Sequence, residues 1–425
     1  MILHIDCNSF FASCEVSLRP DLVGKPVVVA NCNEAGGGII LALTNEAKAL
    51  GFKRGMPVFQ CREALNTHHV AIFPANLSKY VDISRRLMQV VKDEGVVLDF
   101  TQYSVDEFFG QLPTDDPAEL RDVAGQVKER INQCTGIPVS CGLSLTFTLA
   151  KVATWYAKHY PAYQGVCVLP SDKLDVALRG IPLPDVWGIG RRTAPRLEAM
   201  GMHSAWDFAQ KPEYLVQRLL HTPGVRTWKE LHGTPCIDIE HLSRQRSIMH
   251  SRTFAYMTDS KSQLQTYLCN YAAAAARKLR DQHSVCLAVT VFVGTNPHRD
   301  DLEQYGGSET VRLKVATADT SAIANAAIDA LEKVYRPGYR YKRAGILLSD
   351  IVGDEAVQLD MFDDTSAHME RSRRLMAAMD KLNTRYGMDS VRMASQGFEN
   401  TKPDLTDLQP MKNETTNFDD IIEVR

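Results

Sequence analysis

The stretch Tyr103-Ser104-Val105-Asp106-Glu107-Phe108-Phe109 constrains this chain more than any other. Its apolar and aromatic residues favour a strand over a solvated loop. Successive side chains of a strand point to opposite faces, so a regular strand through Asp106-Glu107 sends one carboxylate into a core. An unpaired charge there is very costly, and a bend or a bound cation must reconcile the two acids. Met1-Ile2-Leu3-His4-Ile5-Asp6-Cys7-Asn8 is a second short apolar strand that ends on an acid, followed by Phe10-Phe11. Side by side, the two strands offer the carboxylates of Asp6, Asp106 and Glu107. Converging carboxylates repel one another, and two hard divalent cations are the usual way to hold them together. That arrangement suits phosphoryl or nucleotidyl transfer: one ion activates an attacking hydroxyl and the other neutralises a leaving pyrophosphate. On spacing alone, a surface bulge pair and a strand-end cap account for the same residues equally well.

The wider context carries a resemblance. Asp6-Cys7-Asn8-Ser9-Phe10-Phe11-Ala12-Ser13-Cys14-Glu15, followed by Ser104-Val105-Asp106-Glu107, resembles the two catalytic motifs of the Y-family translesion DNA polymerases. Arg19-Pro20-Asp21-Leu22, Lys25-Pro26-Val27-Val28-Val29 and Asp185-Val186-Trp187-Gly188-Ile189-Gly190-Arg191-Arg192 are most similar to the UmuC branch, the catalytic subunits of bacterial DNA polymerase V. The likeness extends to about residue 400. It implies an α+β, multidomain right hand, with an antiparallel-sheet palm at 1–23 and 74–166 and small fingers at 24–73. A helical thumb with a helix-hairpin-helix follows at 167–235, then a linker at 236–246. A separate β-α-β-β-α-β little finger occupies 247–350, and 351–425 is an acidic C-terminal tail.

The resemblance also implies an activity: error-prone, template-directed extension of a primer past damaged bases, as in the SOS response, on primer-template DNA with a dNTP. Asp6, Asp106 and Glu107 are then catalytic and hold two Mg²⁺, helped by the backbone carbonyl of Cys7. Lys48 and Lys158 grip the triphosphate. Phe10 and Phe11 stand at the incoming nucleotide, although Phe10 also reads as core; Phe11 lies against the sugar C2′, where a ribose hydroxyl would clash. A UmuD′ dimer and a RecA filament are partners by resemblance only. Four positions depart from the family pattern: Asn45 stands where many members have Tyr, Leu41 and Leu43 where UmuC-like chains are more polar, and Phe147 where relatives often have Lys. Asn45, Leu43 and Phe147 leave room for a catalytically silent DNA- and clamp-binding scaffold, and paired acids on a palm are also compatible with a nucleotide cyclase.

A chain of 425 residues is too long for one core. No apolar run approaches the roughly 18 residues of a membrane span, and the N-terminus enters Ile2-Leu3-His4 without a basic leader, so a cytoplasmic protein is expected. The ten cysteines form no CxxC pair and no zinc spacing, and read as small buried hydrophobes. The net charge of −3 hides an asymmetry: 15 Lys and Arg against 10 Asp and Glu over 243–350, but 9 against 15 over 351–425. A basic body is the footprint of phosphate binding, and here an acidic tail masks it.

Periodicity predicts a helix over Leu77–Asp93, another opened by Asp116-Pro117, a strand over Val139–Ser144 and a helix over Thr148–His159, all helices on one face of an antiparallel sheet. Lys151 and Lys158, seven apart, share a face of that last helix. Gly188-Ile189-Gly190 reads as a hairpin whose backbone amides and Arg191 meet a DNA phosphate, followed by a helix over 193–200. Beyond the linker, strands over 249–256, 285–293, 310–316 and 344–348 alternate with helices over 262–282 and 321–334. Arg252, Arg312 and Lys314 are the candidate DNA-backbone contacts on those strands. Gln358-Leu359-Asp360-Met361-Phe362 resembles the peptide that hooks bacterial polymerases onto the β sliding clamp, with Gln358, Leu359, Met361 and Phe362 as its contacts. A last helix is expected over 377–386, and disorder from 400 onward.

Overall fold

The computed structural model describes residues 1–31, 38–238, 245–355, 365–387 and 389–397. They form two compact units, one built from residues up to 238 and one from residue 245 onward. Short 3₁₀ turns aside, the first unit runs β1 (Ile2–Cys7), α1 (Phe10–Ser17), β2 (Val27–Ala30), β3 (Ile40–Leu43), α2 (Asn45–Ala49), α3 (Val58–Thr67), β4 (Ala71–Pro74), α4 (Leu77–Glu94), β5 (Leu98–Gln102), β6 (Glu107–Gln111), α5 (Pro117–Thr135), β7 (Val139–Ser144), α6 (Phe147–His159) and β8 (Val166–Val168). The helices α7 (Leu174–Gly180), α8 (Ala194–Glu198), α9 (Ala205–Ala209) and α10 (Glu213–Leu231) complete it.

The main sheet has the order β5-β6-β1-β7-β8. β1 is antiparallel to both neighbours, whereas β7 and β8 are parallel, so the sheet is mixed rather than antiparallel throughout. The reason is topological. Parallel strands need a crossover, and α6 supplies it between β7 and β8. β6 and β7, both antiparallel to β1, also run the same way and are joined through α5. The two crossover helices cover opposite faces, which corrects the expectation of helices on one face only. Leu3, Ile5 and Cys7 of β1 face a core shared with Tyr80 and Leu87 of α4 and Val127 and Ile131 of α5. The alternate residues His4 and Asp6 face α6, where they meet Thr154 and Lys158.

The acidic doublet does not lie inside a strand. Residues 103–106 form a bend, and β6 begins only at Glu107. A smaller sheet, β3-β2-β4, closes on a separate core that includes Val28, Ile40, Leu43 and Leu65. Leu43, one of the departures from family pattern, is thus a buried core residue. The helices α7 to α10 pack with one side of α6 around Leu149, Leu178, Leu197 and Phe208. Within the expected helix at 193–200, the helical span is Ala194–Glu198, ahead of Gly201 at φ +79°.

The second unit runs β9 (Ile248–Thr258), α11 (Lys261–Asp281), β10 (Ser284–Gly294), β11 (Gly306–Thr317), α12 (Thr320–Val334), β12 (Tyr341–Gly353) and α13 (Thr365–Tyr386). Its four strands are ordered β11-β10-β12-β9, all antiparallel. α11 and α12 cover one face; small Ala272, Ala275, Ala276, Ala327 and Ala330 let them approach the sheet closely. Residues 365–386 are helical and not part of a plain acidic tail. α13 is twelve residues longer at its start than expected and docks through Met376, 2% exposed, and a two-pronged Arg280–Asp380 ion pair at 2.6 and 2.9 Å. Its dense charges hide that buried stripe from a reading of periodicity. The clamp-like peptide 358–362 and residues from 400 onward lie outside the described residues.

Gly142 of β7 is where α6 presses against the sheet: a Cβ there would stand 2.2 Å from the Thr154 backbone nitrogen and 2.3 Å from the Ala150 oxygen. Gly142→Ala should therefore lower unfolding free energy by roughly 1–3 kcal/mol, as overpacking does. Chemical denaturation of the two proteins measures it, and equal midpoints would refute that close approach.

Candidate active site

Register brings Asp6 of β1 directly opposite Glu107 of β6. Both side chains lie on the face covered by α6, and opposed like charges on a sheet destabilise it unless something neutralises them. α6 does so. Lys158 Nζ lies 2.5 Å from Asp6 Oδ1, and Lys151 Nζ lies 2.8 Å from Glu107 Oε1. The seven-residue spacing thus delivers both ammonium groups to one place, and neither is a plain solvated lysine. Burial pushes the Asp6 carboxyl above the usual carboxylate range, with Glu107 and Asp106 adding to the shift and Lys158 opposing it.

Asp106 enters from the bend. Its carboxylate accepts from the Ser104 hydroxyl at 2.5 Å, and its backbone oxygen accepts from Cys7 N–H at 2.9 Å. That second bond ties the doublet to the end of β1. The Cys7 side chain is buried in the core, and burial pushes its thiol well up. The turn after β1 is fixed by Ser13 and Ser140, whose hydroxyls donate to the backbone and side-chain oxygens of Asn8. Ser9, in left-handed backbone at φ 49°, turns the chain into α1.

His4 is the residue that sequence reasoning missed. Its ring is fully buried, Nδ1 lies 2.8 Å from Thr154 Oγ1, and Nε2 has no hydrogen-bond partner among the described residues. That Nε2 stands 3.7 Å from Glu107 Oε1. Burial, with Lys151 and Lys158 nearby, holds the ring well below its ordinary pKa and so neutral. One donor atom each from His4, Asp6 and Glu107 falls within 4.8 Å of the others, and they could hold a metal ion. Alternation was the available signal, since His4 sits two residues from Asp6 on the same face.

Lys48 of α2 also reaches this turn: its Nζ donates to Ser9 Oγ at 2.9 Å and to the Asn45 side-chain oxygen at 3.1 Å. Burial lowers its pKa, and the positive charge of Lys158 lowers it further. Phe10 is core. Phe11 is half-buried and stacked on Tyr80, centroids 4.4 Å apart and planes at 17°. Tyr80 is held in turn by Glu15, which accepts from its hydroxyl at 2.7 Å and from Lys79 at 2.6 Å. Phe147 packs edge-on against Phe109. No lysine stands at position 147, and Lys151, one turn along α6, pairs with Glu107.

Comparison with known proteins fits this geometry. The impB/mucB/samB family model matches residues 5–155, its C-terminal domain matches 245–361, and a domain of unknown function matches 373–424. Protein UmuC of Salmonella typhimurium is 34% identical over the full length of both chains, and Protein MucB of Escherichia coli is 34% identical over 94% of each. The chain belongs to the impB/mucB/samB family. DNA polymerase IV 1 of Bacillus subtilis is 26% identical over 92% of each chain. Among solved structures, a Y-family DNA polymerase chimera of Dbh and Dpo4 shares the fold with a TM-score of 0.61 at 20% identity, covering 83% of this chain and 99% of that one. An insertion ternary complex of Dbh DNA polymerase gives 0.54 at 21%. The chain is a UmuC-like Y-family polymerase, and no helix among its described residues is long and apolar enough to cross a membrane.

In this impB/mucB/samB chain the expected hairpin is an exposed turn between Val186 and Ala194. Gly188 has φ +88°, and a Cβ there would press on Thr227 Oγ1 at 2.9 Å. Gly190 faces open space and Arg191 is exposed. On the second unit, Arg312 and Lys314 lie on the open face of β11, with Arg312 paired to Asp350 at 2.9 Å. Arg252 does not join them. It pairs in register with the buried Ala344, between His250, which meets Tyr271 of α11, and core Phe254, so it lies on the helix-covered side. The strand was correctly expected; its phase was not. Arg343, stacked on Phe292 at 5.1 Å, occupies the open face instead.

A second unforeseen residue anchors α6. Glu230 of α10 is fully buried, and its carboxylate accepts from Thr148 N–H and Thr148 hydroxyl at 2.8 Å and from Ile237 N–H at 3.1 Å. An acid at a helix N-terminus also complements the helix dipole. Nothing in the local sequence marks it as the anchor of α6, because Thr148 lies 82 residues away. Glu230→Ala, which orphans those donors, should cost on the order of 3 kcal/mol of stability. Thermal unfolding reads this, and an unchanged melting temperature would contradict the anchoring role.

Proposed function

We propose that this Y-family polymerase carries out its error-prone extension of a primer past damaged template bases through Asp6, Asp106 and Glu107, acting with two divalent cations, Mg²⁺ by choice of ligand. The observation that carries the reading is the Asp6–Glu107 pair, held opposite each other in register with Lys151 and Lys158 above it. The carboxylate oxygens of Asp6 and Glu107 converge, which suits a hard cation, and the Cys7 carbonyl would join them; the buried Nε2 of His4, with no hydrogen-bond partner among the described residues, is a softer donor beside them. When bound, the ions supply the Lewis acidity that lets a primer 3′-hydroxyl lose its proton and steadies the leaving pyrophosphate.

The remaining roles belong to side chains. Lys48 and Lys158 bind the triphosphate; the positive charge of Lys158 disfavours that of Lys48, and an anion beside Lys48 relieves it. Phe11, fixed by its stack on Tyr80, excludes the ribose 2′-hydroxyl, with Phe10 packed behind it. The domain assignment follows: palm at 1–23 and 74–166, fingers at 24–73, thumb at 167–235, linker at 236–246, little finger at 247–350. Gly188, Gly190 and Arg191 meet a DNA phosphate, and Arg312 and Lys314, with Arg343 in place of Arg252, follow the backbone. The substrates are primer-template DNA and a dNTP in the cytoplasm. Gln358, Leu359, Met361 and Phe362 dock on the β sliding clamp, and a UmuD′ dimer and RecA filament are partners as in UmuC.

Primer extension on undamaged and abasic templates tests this reading. Asp106→Ala should lose on the order of 10³-fold in rate; equal incorporation by mutant and parent would leave a silent scaffold, and cyclic nucleotide formed without a primer would favour a cyclase. Phe11→Ala should raise ribonucleotide use relative to deoxyribonucleotide by about 100-fold, the scale of discrimination that a steric clash with one hydroxyl provides. Single-nucleotide insertion kinetics measure that ratio.

A further inference from the structure

Lys151 has a second set of partners besides Glu107. Its Nζ lies 4.9 Å from the centroid of Tyr103, 5.1 Å from that of Trp187 and 6.0 Å from that of Phe109. The rings brace one another: Tyr103 stands edge-on to Trp187 at 5.4 Å and to Phe109 at 5.7 Å, and Trp187 Nε1 donates to the Tyr103 hydroxyl at 3.3 Å. The origins of these rings matter. Phe109 is on β6 with Glu107, Tyr103 is in the bend that bears Asp106, and Trp187 immediately precedes Gly188 in the exposed hairpin. Trp187 is fastened to the helical part through its backbone oxygen, which accepts from the Thr227 hydroxyl at 3.2 Å. One lysine thus joins a catalytic carboxylate to the turn that carries the candidate phosphate contacts.

A metal ion and an ammonium group compete for the same carboxylate oxygen. Lys151 occupies Glu107 Oε1, so a cation binding through that oxygen competes with it, and an ammonium displaced from a side chain only 17% exposed needs another home. Ring faces provide one, because aromatic quadrupoles attract a cation most strongly where water is excluded. We propose that Lys151 is the exchangeable counter-ion of Glu107 and that the Tyr103–Phe109–Trp187 cage receives it when a divalent ion binds, so that seating of the Trp187 hairpin and metal loading favour each other. Lys151 is a positioning residue in this scheme, and the proposal rests on Glu107 being a metal ligand. The coupling is reciprocal: whatever holds the hairpin in place tightens metal binding, and metal binding steadies the hairpin.

The signs of the effects are distinctive. Removing Lys151 removes a competitor and should tighten metal binding. Removing the Trp187 ring strands the lysine on Glu107 and should weaken it. Without Lys151, the ring has nothing to receive and its loss should not matter. The experiment is a titration of the full-length protein with Mn²⁺, free ion being read by electron paramagnetic resonance, for the parent, Lys151→Met, Trp187→Ala, the double variant and Trp187→Phe, with Asp6→Ala to identify the binding that belongs to this site. We expect the Mn²⁺ dissociation constant to fall about five-fold in Lys151→Met and rise about five-fold in Trp187→Ala, in keeping with a single cation–π contact. The double variant should match Lys151→Met, and Trp187→Phe should stay near the parent. Weakening by Trp187→Ala of equal size in both backgrounds would mean that the ring is merely structural and would overturn the proposal; so would an unchanged constant in Lys151→Met. Circular dichroism of each variant separates misfolding from either result, and Lys151→Met keeps the test decisive if Trp187→Ala does not fold. Primer extension by the parent is run alongside: activity without the coupling sinks this inference alone, whereas no activity and no Asp6-dependent Mn²⁺ binding sinks the polymerase site as well.

Discussion

The rest of the first unit is arranged around two carboxylates that ought to repel. Asp6 and Glu107 face each other across adjacent strands, in a pocket dry enough to raise the Asp6 pKa. They are tolerated because α6 lays two ammonium groups over them, and α6 can do so only by coming very close to the sheet. Gly142 gives it the room beside Ala150 and Thr154, and Glu230 fixes its N-terminus. Packing and electrostatics therefore have a common origin. A helix displaced by an ångström would leave the carboxylates unneutralised, and burial makes that costly.

The two faces of β1 divide the work. Leu3, Ile5 and Cys7 hold the strand in a core with α4 and α5, while His4 and Asp6 face α6. Because the strand is pinned on its apolar side, the polar side keeps its position without help from a ligand. The same logic extends outward. Phe11 gains a fixed orientation from Tyr80, which the Glu15–Lys79 pair holds from behind. Lys48, partly desolvated and within the field of Lys158, contributes to a focus of positive charge beside the acids. Adjacent positive and negative fields are what a site handling a metal-bound polyphosphate requires.

Legibility varied with how local the cause was. The strand–helix order of the second unit could be followed in the sequence, because its strands alternate and its helices carry long apolar stripes. Arg252 defeated that reading by one residue: a strand's phase decides which face a side chain takes, and phase is set by pairing with β12 rather than by the strand itself. α13 was half hidden because its buried contacts, Met376 and Asp380 with Arg280, lie among many charges. The mixed sheet was missed for a different reason. Whether two strands run parallel depends on the crossover that links them, and hydrophobic periodicity carries no sign of direction.

By itself, the sequence determined the inventory: an apolar strand ending in Asp6, an acidic doublet among aromatics, two lysines seven apart on one helix and a Gly-Ile-Gly turn. These are consequences of local spacing, since periods of 2 and 3.6 residues say which side chains share a face. Only the tertiary structure decided which faces meet. It placed Asp6 opposite Glu107, set Lys151 between that acid and Trp187, brought buried His4 into the cluster and ran Glu230 across the chain to α6. Such encounters follow from register and packing between segments far apart in sequence, where long-range contacts, not neighbouring residues, fix the geometry.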